Sequence, residues 1–171
     1  LVATALQNKK HVVTANKAMV SRHFEEISKK AEECSVSFLY EASVAGSVPI
    51  LKALKDQTRI GQVNRIEGIL NGTCNYILTQ MAEESLTYGE ALKKAQEMGY
   101  AEADPKEDVE GTDTRRKLRI LSTLSFGGAV AEQDILCQGI SAITDLDISL
   151  LRSLCREVKL LGRAEEKEGD V

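Results

Sequence analysis

The stretch from Gly99 to Lys117 constrains the fold more than any other part of this 171-residue sequence, because it separates two helical patterns with a dense run of charge. Gly99, Pro105 and Gly111 interrupt it, so we expect a loop rather than a helix. We also expect it to remain in solvent and not to pack against a core. Its acidic residues are Glu102, Asp104, Glu107, Asp108, Glu110 and Asp113.

A helix is predicted to begin near Thr112, because the leucines from Leu118 to Leu124 recur at helical spacing. Asp113 and Lys117 then lie at positions i and i+4 of its first turn and face the same way. Such a pair can present an ammonium group that a carboxylate holds in place. The same spacing is also common in solvated surface ion pairs, so the pair alone does not establish a site.

Composition excludes several classes of protein. The chain is 43% hydrophobic and 28% charged with a net charge of −4, which is typical of a globular domain and, without a basic face, argues against nucleic-acid binding. Its apolar runs are too short to cross a bilayer, and no signal peptide is visible, so no membrane association is expected. The four cysteines are widely scattered, which predicts reduced thiols and a cytoplasmic location.

The N-terminal quarter is predicted to alternate helix, strand, helix and strand, at residues 1–9, His11–Thr14, Ser21–Glu33 and Val36–Tyr40. This order is typical of the end of a parallel α/β unit. The glycine-rich turn that binds a dinucleotide pyrophosphate is missing from the sequence, so we expect it upstream of Leu1.

Further elements are predicted along the rest of the chain. Thr87 and Glu90 form the pattern of a capping box, and the helix they begin should end at Gly99. The remaining predictions are a helix after Pro49, a strand over Gln62–Leu70, a helix over Cys74–Glu84, a strand over Ile135–Ile143, a helix over Asp145–Arg156 capped by Thr144, a strand over Val158–Ala164, and a hairpin over Glu165–Asp170.

Three positions outside the acidic stretch are candidate binding residues. Lys17 follows a strand end, where α/β sheets bind ligands, although most such lysines are simply solvated. The loop from Glu41 to Pro49 could bind a cation through main-chain carbonyls, or it could be a plain connection. Gly72 lets a ligand approach the N–H groups of a helix start, which otherwise reads as a capped turn.

Four motifs stand out along the chain. Three of them are HVVTANKA at 11–18, YEASVAGSVPIL at 40–51 and IEGILNGTCNYIL at 66–78. The fourth consists of Ala95, Gly99, Tyr100, Asp104, Pro105, Asp108, Gly111, Asp113 and Lys117. Together the four motifs resemble homoserine dehydrogenases. The resemblance runs from the first residue to about Gly128 and is vaguer beyond it.

The resemblance implies a reaction and a fold. The reaction is NADP- or NAD-dependent interconversion of L-homoserine and L-aspartate 4-semialdehyde, in the pathway to threonine, methionine and isoleucine. The expected fold is α+β: a mixed β-sheet with helices on one face, preceded by the remnant of a Rossmann-type domain. Residues 1–40 would end the nucleotide-binding domain, and residues 41–171 would belong to the catalytic and dimerisation domain of a homodimer. The piece is expected to be inactive alone.

The resemblance also assigns roles to residues. Lys117 is the expected proton donor, with Asp113 orienting it and Lys17 polarising the substrate oxygen between cofactor and substrate. Glu102 would bind the substrate ammonium, and Asp108 would organise the loop. Gly72, Thr73 and Tyr100 would line the substrate pocket. A sodium ion would be bound by the main-chain oxygens of Glu41, Val44, Gly46 and Val48.

Two other classes of protein compete with this hypothesis. A non-catalytic amino-acid-binding regulatory domain would need only the acidic loop, and would have no reason to carry both Lys17 and Lys117. A lysine-dependent Schiff-base enzyme would be trapped by borohydride in the presence of the aldehyde. The choice between NADP and NAD is left open, because the residue that reads the ribose 2′ position is expected upstream.

Overall fold

The computed structural model describes residues 1–128 and 130–166, and it confirms the α+β class. Within these ranges the strands form two two-stranded sheets, β1 with β2 and β3 with β4, rather than one larger sheet. The elements are α1 (Val2–Gln7), β1 (Val12–Val13), α2 (Lys17–Cys34), β2 (Phe38–Leu39), α3 (Ile50–Ile60), β3 (Arg65–Gly68), α4 (Gly72–Glu84), α5 (Tyr88–Glu97), α6 (Lys106–Val109), α7 (Thr112–Phe126), α8 (Asp145–Ser153) and β4 (Gly162–Glu165).

The chain divides into two compact units. The first, unit 1, comprises Leu1–Ile66, Arg116–Ile135 and Ala164–Val171. The second, unit 2, comprises Glu67–Arg115 and Leu136–Arg163. That residues 1–40 end a nucleotide-binding domain stays a prediction.

Unit 1 contains the predicted α/β order. Strands β1 and β2 are parallel, with Val12 opposite Phe38 and Val13 opposite Leu39. Helix α2 starts earlier than the hydrophobic pattern indicated, because the side chain of Asn16 accepts a hydrogen bond from the N–H of Met19 and so caps the helix.

The C-terminal part of α7 is fixed within unit 1 by a buried arginine. Arg119 is 8% exposed; its Nε donates to the carbonyl of Val130 at 2.5 Å, and a terminal nitrogen lies 3.3 Å from the carboxylate of Glu25 on α2. Arg116 lies 3.7 Å from Glu132, whose carboxylate also accepts from Ser21 at 3.3 Å. Charged groups at this depth must be paired, and these pairs bring α7 and α2 together.

Unit 2 is built around helix α4. The predicted capping box of α5 is present at Thr87 and Glu90, and the one at the start of α8 joins Thr144 and Asp147. Gly99 follows α5 with a φ of +77°, the left-handed conformation that ends many helices. The buried apolar cluster comprises Cys74, Ile77, Leu78, Met81, Ala91, Ala95, Ala101, Val109, Ile140 and Ile148.

Three predictions about unit 2 are wrong or differ in extent. The strand predicted over Ile135–Ile143 is absent, and this segment is irregular apart from turns. The acidic stretch contains the short helix α6 and contributes Ala101 and Val109 to the core, so it is neither all loop nor fully solvated. Helix α8 ends at Ser153, before the predicted Arg156.

Strand β4 covers Gly162–Glu165, later than the predicted Val158–Ala164, and most of the predicted hairpin over Glu165–Asp170 lies outside the described residues. Among the described helices, none combines the length and the apolar character that a bilayer span requires.

Candidate active site

Two of the predicted aspartates meet on one amide side chain in unit 2. The Nδ2 atom of Asn71 donates to Asp108 at 2.7 Å and to Asp113 at 3.0 Å. Asn71 is 4% exposed and Asp113 is 2% exposed, which is unusual for a carboxylate and requires hydrogen-bond partners. Asp113 therefore belongs to a buried polar group, and the alternative of a solvated surface pair is wrong for it.

The same asparagine fixes the start of α4. Its Oδ1 accepts from the N–H of Cys74 at 2.8 Å, and its main-chain carbonyl accepts from the side chain of Asn75 at 2.9 Å. The N-cap oxygen satisfies one of the N–H groups that a helix leaves without an internal partner. Asn71 is thus at once the cap of α4 and the donor to two carboxylates.

Gly72 and Thr73 follow directly in the first turn of α4. Gly72 is exposed, and a Cβ built on it would have no atom within 4 Å, so the space above this helix start is open. Thr73 donates to the main-chain carbonyl of Tyr100 at 2.8 Å. The ring of Tyr100, 54% exposed, packs on Tyr76 with centroids 4.4 Å apart. The predicted residues Gly72, Thr73 and Tyr100 therefore lie together.

Glu102 lies two residues beyond Tyr100 and is exposed. Its main-chain carbonyl accepts from Gln96 at 3.1 Å, which anchors the backbone at this point. Within the described ranges its carboxylate has no hydrogen bond or ion pair to another residue. A carboxylate with an anchored backbone and no protein partner can accept an ammonium group from a ligand.

Cys74 adds an uncharged neighbour to the aspartates. Its thiol donates to the main-chain carbonyl of Asp108 at 3.1 Å. Burial, and then the negative charge of Asp108, raise the pKa of the Cys74 thiol to about 12. It stays protonated at neutral pH and contributes no third negative charge to the group.

Unit 2 contains a tight backbone contact next to the segment that carries Asp108 and Asp113. Gly111 has a φ of +80°, and a Cβ there would lie 3.0 Å from the sulfur of Cys137. At Gly139 a Cβ would lie 2.3 Å from the carbonyl oxygen of Val109, a distance that real side chains do not reach. The N–H of Ile140 donates to that same carbonyl at 2.8 Å. The segment that was predicted as a strand instead presses on the end of α6, next to Asp108.

The two predicted lysines lie in unit 1. Lys17 begins α2 after the carboxyl end of β1, at the sheet edge where α/β proteins bind ligands. Lys117 is half-buried in α7, the continuous helix whose first turn contains Asp113. The spacing of these two residues within one helix is as predicted. The positive charge of Lys17 at this sheet edge is compatible with a dinucleotide phosphate.

The predicted sodium loop has the backbone chemistry for a hard cation. Ala45 and Gly46 both have a φ of +57°, which turns the chain sharply. Among the described residues, the carbonyls of Val44 and Gly46 accept no hydrogen bond, whereas that of Glu41 accepts from the N–H of Val44 at 3.3 Å and that of Val48 from Ile50 at 2.8 Å. Two uncommitted carbonyls fit such an ion. No cluster of three or more His, Cys, Asp or Glu side chains suited to a metal occurs in the same ranges.

The side chain of Glu41 has a role that the sequence did not reveal. Its carboxylate accepts from the N–H of Leu51 at 2.9 Å and from that of Lys52 at 3.1 Å, so it caps the start of α3. Asn71 was also missed as a functional candidate. Its signals were its place in the motif at 66–78 and the position of an amide before a helix, and its two carboxylate partners lie 37 and 42 residues away.

Comparison with known proteins defines the class first. The fold matches solved oxidoreductase structures over nearly the whole chain. A homoserine dehydrogenase from Thiobacillus denitrificans superposes with a TM-score of 0.94 at 41% identity, covering 97% of this chain and 38% of that one. A hyperthermophilic archaeal homoserine dehydrogenase in complex with NADPH gives 0.82 at 26% identity, over 96% and 48% of the two chains.

The family follows from the sequence comparisons. The family model described as homoserine dehydrogenase matches residues 49–171. The homoserine dehydrogenase of Synechocystis is 44% identical over 170 residues, and that of Bacillus subtilis is 46% identical over 161. The chain belongs to the homoserine dehydrogenase family, and it spans 39% and 37% of the length of these two relatives.

Proposed function

We propose that this chain is part of an enzyme that interconverts L-homoserine and L-aspartate 4-semialdehyde with NADP or NAD, on the pathway to threonine, methionine and isoleucine. The observation that carries the proposal is the buried Asp113 at the start of the helix that contains Lys117. Burying a carboxylate costs free energy unless it is paired or hydrogen-bonded, and buried carboxylates are concentrated at functional sites. Family membership supplies the reaction.

Lys117 and Lys17 are the proposed residues for the proton chemistry. The nicotinamide, when bound, supplies or accepts the hydride. Reduction of an aldehyde also needs a proton for the developing alkoxide, and an ammonium group placed beside that oxygen can donate it. We assign this donation to Lys117, whose orientation Asp113 sets. Lys17, at the start of α2, polarises the same oxygen between cofactor and substrate.

Recognition of the amino acid falls to unit 2. Glu102 has no protein partner for its carboxylate among the described residues, and it is the proposed contact of the substrate ammonium. The N–H groups of Gly72 and Thr73, in the first turn of α4, suit the substrate carboxylate, because a helix start carries partial positive charge. Tyr100 forms the adjacent wall, and Asp108 organises the loop.

Sodium binding and assembly complete the proposal. We propose that the carbonyls of Glu41, Val44, Gly46 and Val48 bind one sodium ion, and that the protein acts as a homodimer in the cytoplasm. The two uncommitted carbonyls of the loop support the ion site. The described cysteines are all free thiols, which agrees with a reducing compartment.

The test uses a chimera, in which this chain replaces the matching 161-residue region of the Bacillus subtilis relative. The chimera should oxidise L-homoserine with NADP or NAD. Lys117→Ala should lower kcat by roughly 10²–10⁴, the usual contribution of a general acid. Asp113→Asn should also slow the reaction, and the two losses should not add, because both changes disable one unit.

The control is Lys29→Ala, which removes a lysine on the exposed face of α2 and should leave kcat within about twofold. A folded chimera that binds cofactor but leaves L-homoserine untouched would refute the proposed function. If Lys117→Ala kept a near-normal kcat, Lys17 would become the leading candidate for the proton donor.

The regulatory-domain alternative makes the opposite forecast. A domain that only senses an amino acid would bind L-homoserine through Glu102 and would need neither lysine. Calorimetric titration of the isolated chain separates the two: unchanged homoserine affinity in Lys117→Ala, combined with an inactive chimera, would favour the sensing role.

A further inference from the structure

We propose that Asn71 is a positioning residue of this enzyme, because one uncharged amide sets the orientation of both Asp108 and Asp113. The inference rests on the proposed function, since it concerns how Asp113 comes to orient Lys117. Asn71 itself touches neither proton nor hydride. It acts through the aspartates.

Both N–H donors of the Asn71 amide are used, and its oxygen accepts one hydrogen bond. An asparagine side chain has two N–H donors and one carbonyl acceptor. Its nitrogen lies 2.7 Å from an oxygen of Asp108 and 3.0 Å from an oxygen of Asp113, and its oxygen accepts from the N–H of Cys74. With Asn71 only 4% exposed, water has little access to take over any of these three bonds.

No other side chain of this size could do the same work. Aspartate would keep the cap oxygen but could not donate, and would add a third negative charge beside two others. Serine would keep a cap acceptor but would offer one donor at most and reach less far. A lysine would neutralise one of the two charges. The amide is the group that bridges two carboxylates without altering their total charge.

The position of Asn71 in the fold explains how the orientation of the two aspartates is kept fixed. It caps α4, and α4 is the helix around which the buried cluster of unit 2 is packed. Asp108 lies on the short helix α6 and Asp113 on the first turn of α7, neither of which forms a large part of that cluster. The amide therefore links the start of α4 to one carboxylate on α6 and to one on the first turn of α7.

The first experiment detects the bridge, meaning the two hydrogen bonds from Asn71 to Asp108 and Asp113, directly in the 171-residue chain. The two side-chain N–H protons of Asn71 should each be shifted downfield in nitrogen–proton NMR spectra and should exchange slowly with solvent. Asp108→Ala should release one of them and Asp113→Ala the other, because alanine has no side-chain acceptor. Two rapidly exchanging protons in the unmodified chain would overturn the proposal.

The second experiment reads the consequence for turnover, in the chimera. Asn71→Ser and Asn71→Asp should lower kcat about 10- to 100-fold, the factor that corresponds to a lost hydrogen bond to a charged group. The KM for L-homoserine should stay within about threefold, because Glu102 and the start of α4 remain. A merely structural asparagine would lower stability without separating kcat from KM in this way.

The matched control is Thr144→Ala, which removes the side-chain cap of α8 but touches neither aspartate. It should lower the melting temperature as a lost cap does, and leave kcat within about twofold. If Asn71→Asp fails to fold, Asn71→Ser and the NMR measurement decide. Asn71→Ser with normal kcat would overturn the positioning role. An inactive parent chimera would refute the proposed function, while the NMR result would still report on the bridge.

Discussion

Replacing Gly139 by alanine should destabilise the protein more than any ordinary glycine substitution. The added Cβ would lie 2.3 Å from the carbonyl oxygen of Val109 and 2.6 Å from the Cα of Glu110, whereas ordinary contacts begin near 3.4 Å. The two backbones must separate by about 1 Å, and the 2.8 Å hydrogen bond from Ile140 to Val109 is then lost. Overpacking costs about 1–3 kcal/mol and the hydrogen bond about 1 kcal/mol, so we expect a loss of about 2–4 kcal/mol.

Thermal unfolding followed by far-ultraviolet circular dichroism measures this loss. For a chain of this length the melting temperature should fall by roughly 5–15 °C. Gly89→Ala is the matched control, because Gly89 lies inside α5 with no atom within 4 Å of a Cβ. The Gly89→Ala protein should gain at most roughly 0.5 kcal/mol, since Gly89 lies in the first turn of α5 and alanine favours a helix more than glycine does. A Gly139→Ala protein within about 0.5 kcal/mol of the parent would refute the tight contact with α6.

Four further predictions concern binding, pH, activity and assembly. Glu102→Gln in the chimera should raise the KM for L-homoserine and leave cofactor affinity alone; an unchanged KM would remove Glu102 from the pocket. Cys74 and Tyr40 both have pKa values raised by burial to about 12, from 9.0 and 10.0, so the folded state binds more protons and denaturant titrations should show stability falling as pH rises from about 9 to 12. The 171-residue chain alone should not oxidise NADPH with L-aspartate 4-semialdehyde, because it lacks a glycine-rich pyrophosphate turn; measurable turnover would contradict this. Sedimentation should show a dimer, since exposed sheet edges favour pairing, and a monomer at high concentration would count against it.

The parts of the fold that local signals specify were predictable from the sequence. Thr87 with Glu90 caps α5, and Thr144 caps α8, because a capping box needs only residues that are three positions apart. Helix α7 was predicted to begin at Thr112 and does so. These contacts form within one turn, so the sequence pattern contains all the information that they need.

The errors arose where distant parts of the chain meet. Residues 135–143 are mainly apolar, which favoured a strand, but Gly139 lies against the backbone of Val109, thirty residues earlier, and this contact is present instead of strand pairing. Asp113 looked like a surface residue because a sequence shows charge and not depth. In the structure it is buried and accepts a hydrogen bond from Asn71, an amide 42 residues away that no periodic pattern connects to it. The family motif identified Asp108 and Asp113 as candidates. It did not identify Asn71 as the residue that donates a hydrogen bond to both.

The carboxylate of Glu41 closes the loop that follows it into a ring, through hydrogen bonds to the N–H groups at the start of α3. Because it binds the N–H groups of Leu51 and Lys52, the backbone between positions 41 and 51 is tethered at both ends, and its carbonyls keep their directions without a bound ion. The tether also occupies the charge of Glu41, so a cation in this ring would be bound mainly by neutral dipoles and would compete with solvent at modest affinity. Substituting Glu41 would therefore impair a main-chain cation site without removing a single ligand atom, and a loss of binding in such a variant would report on the tether.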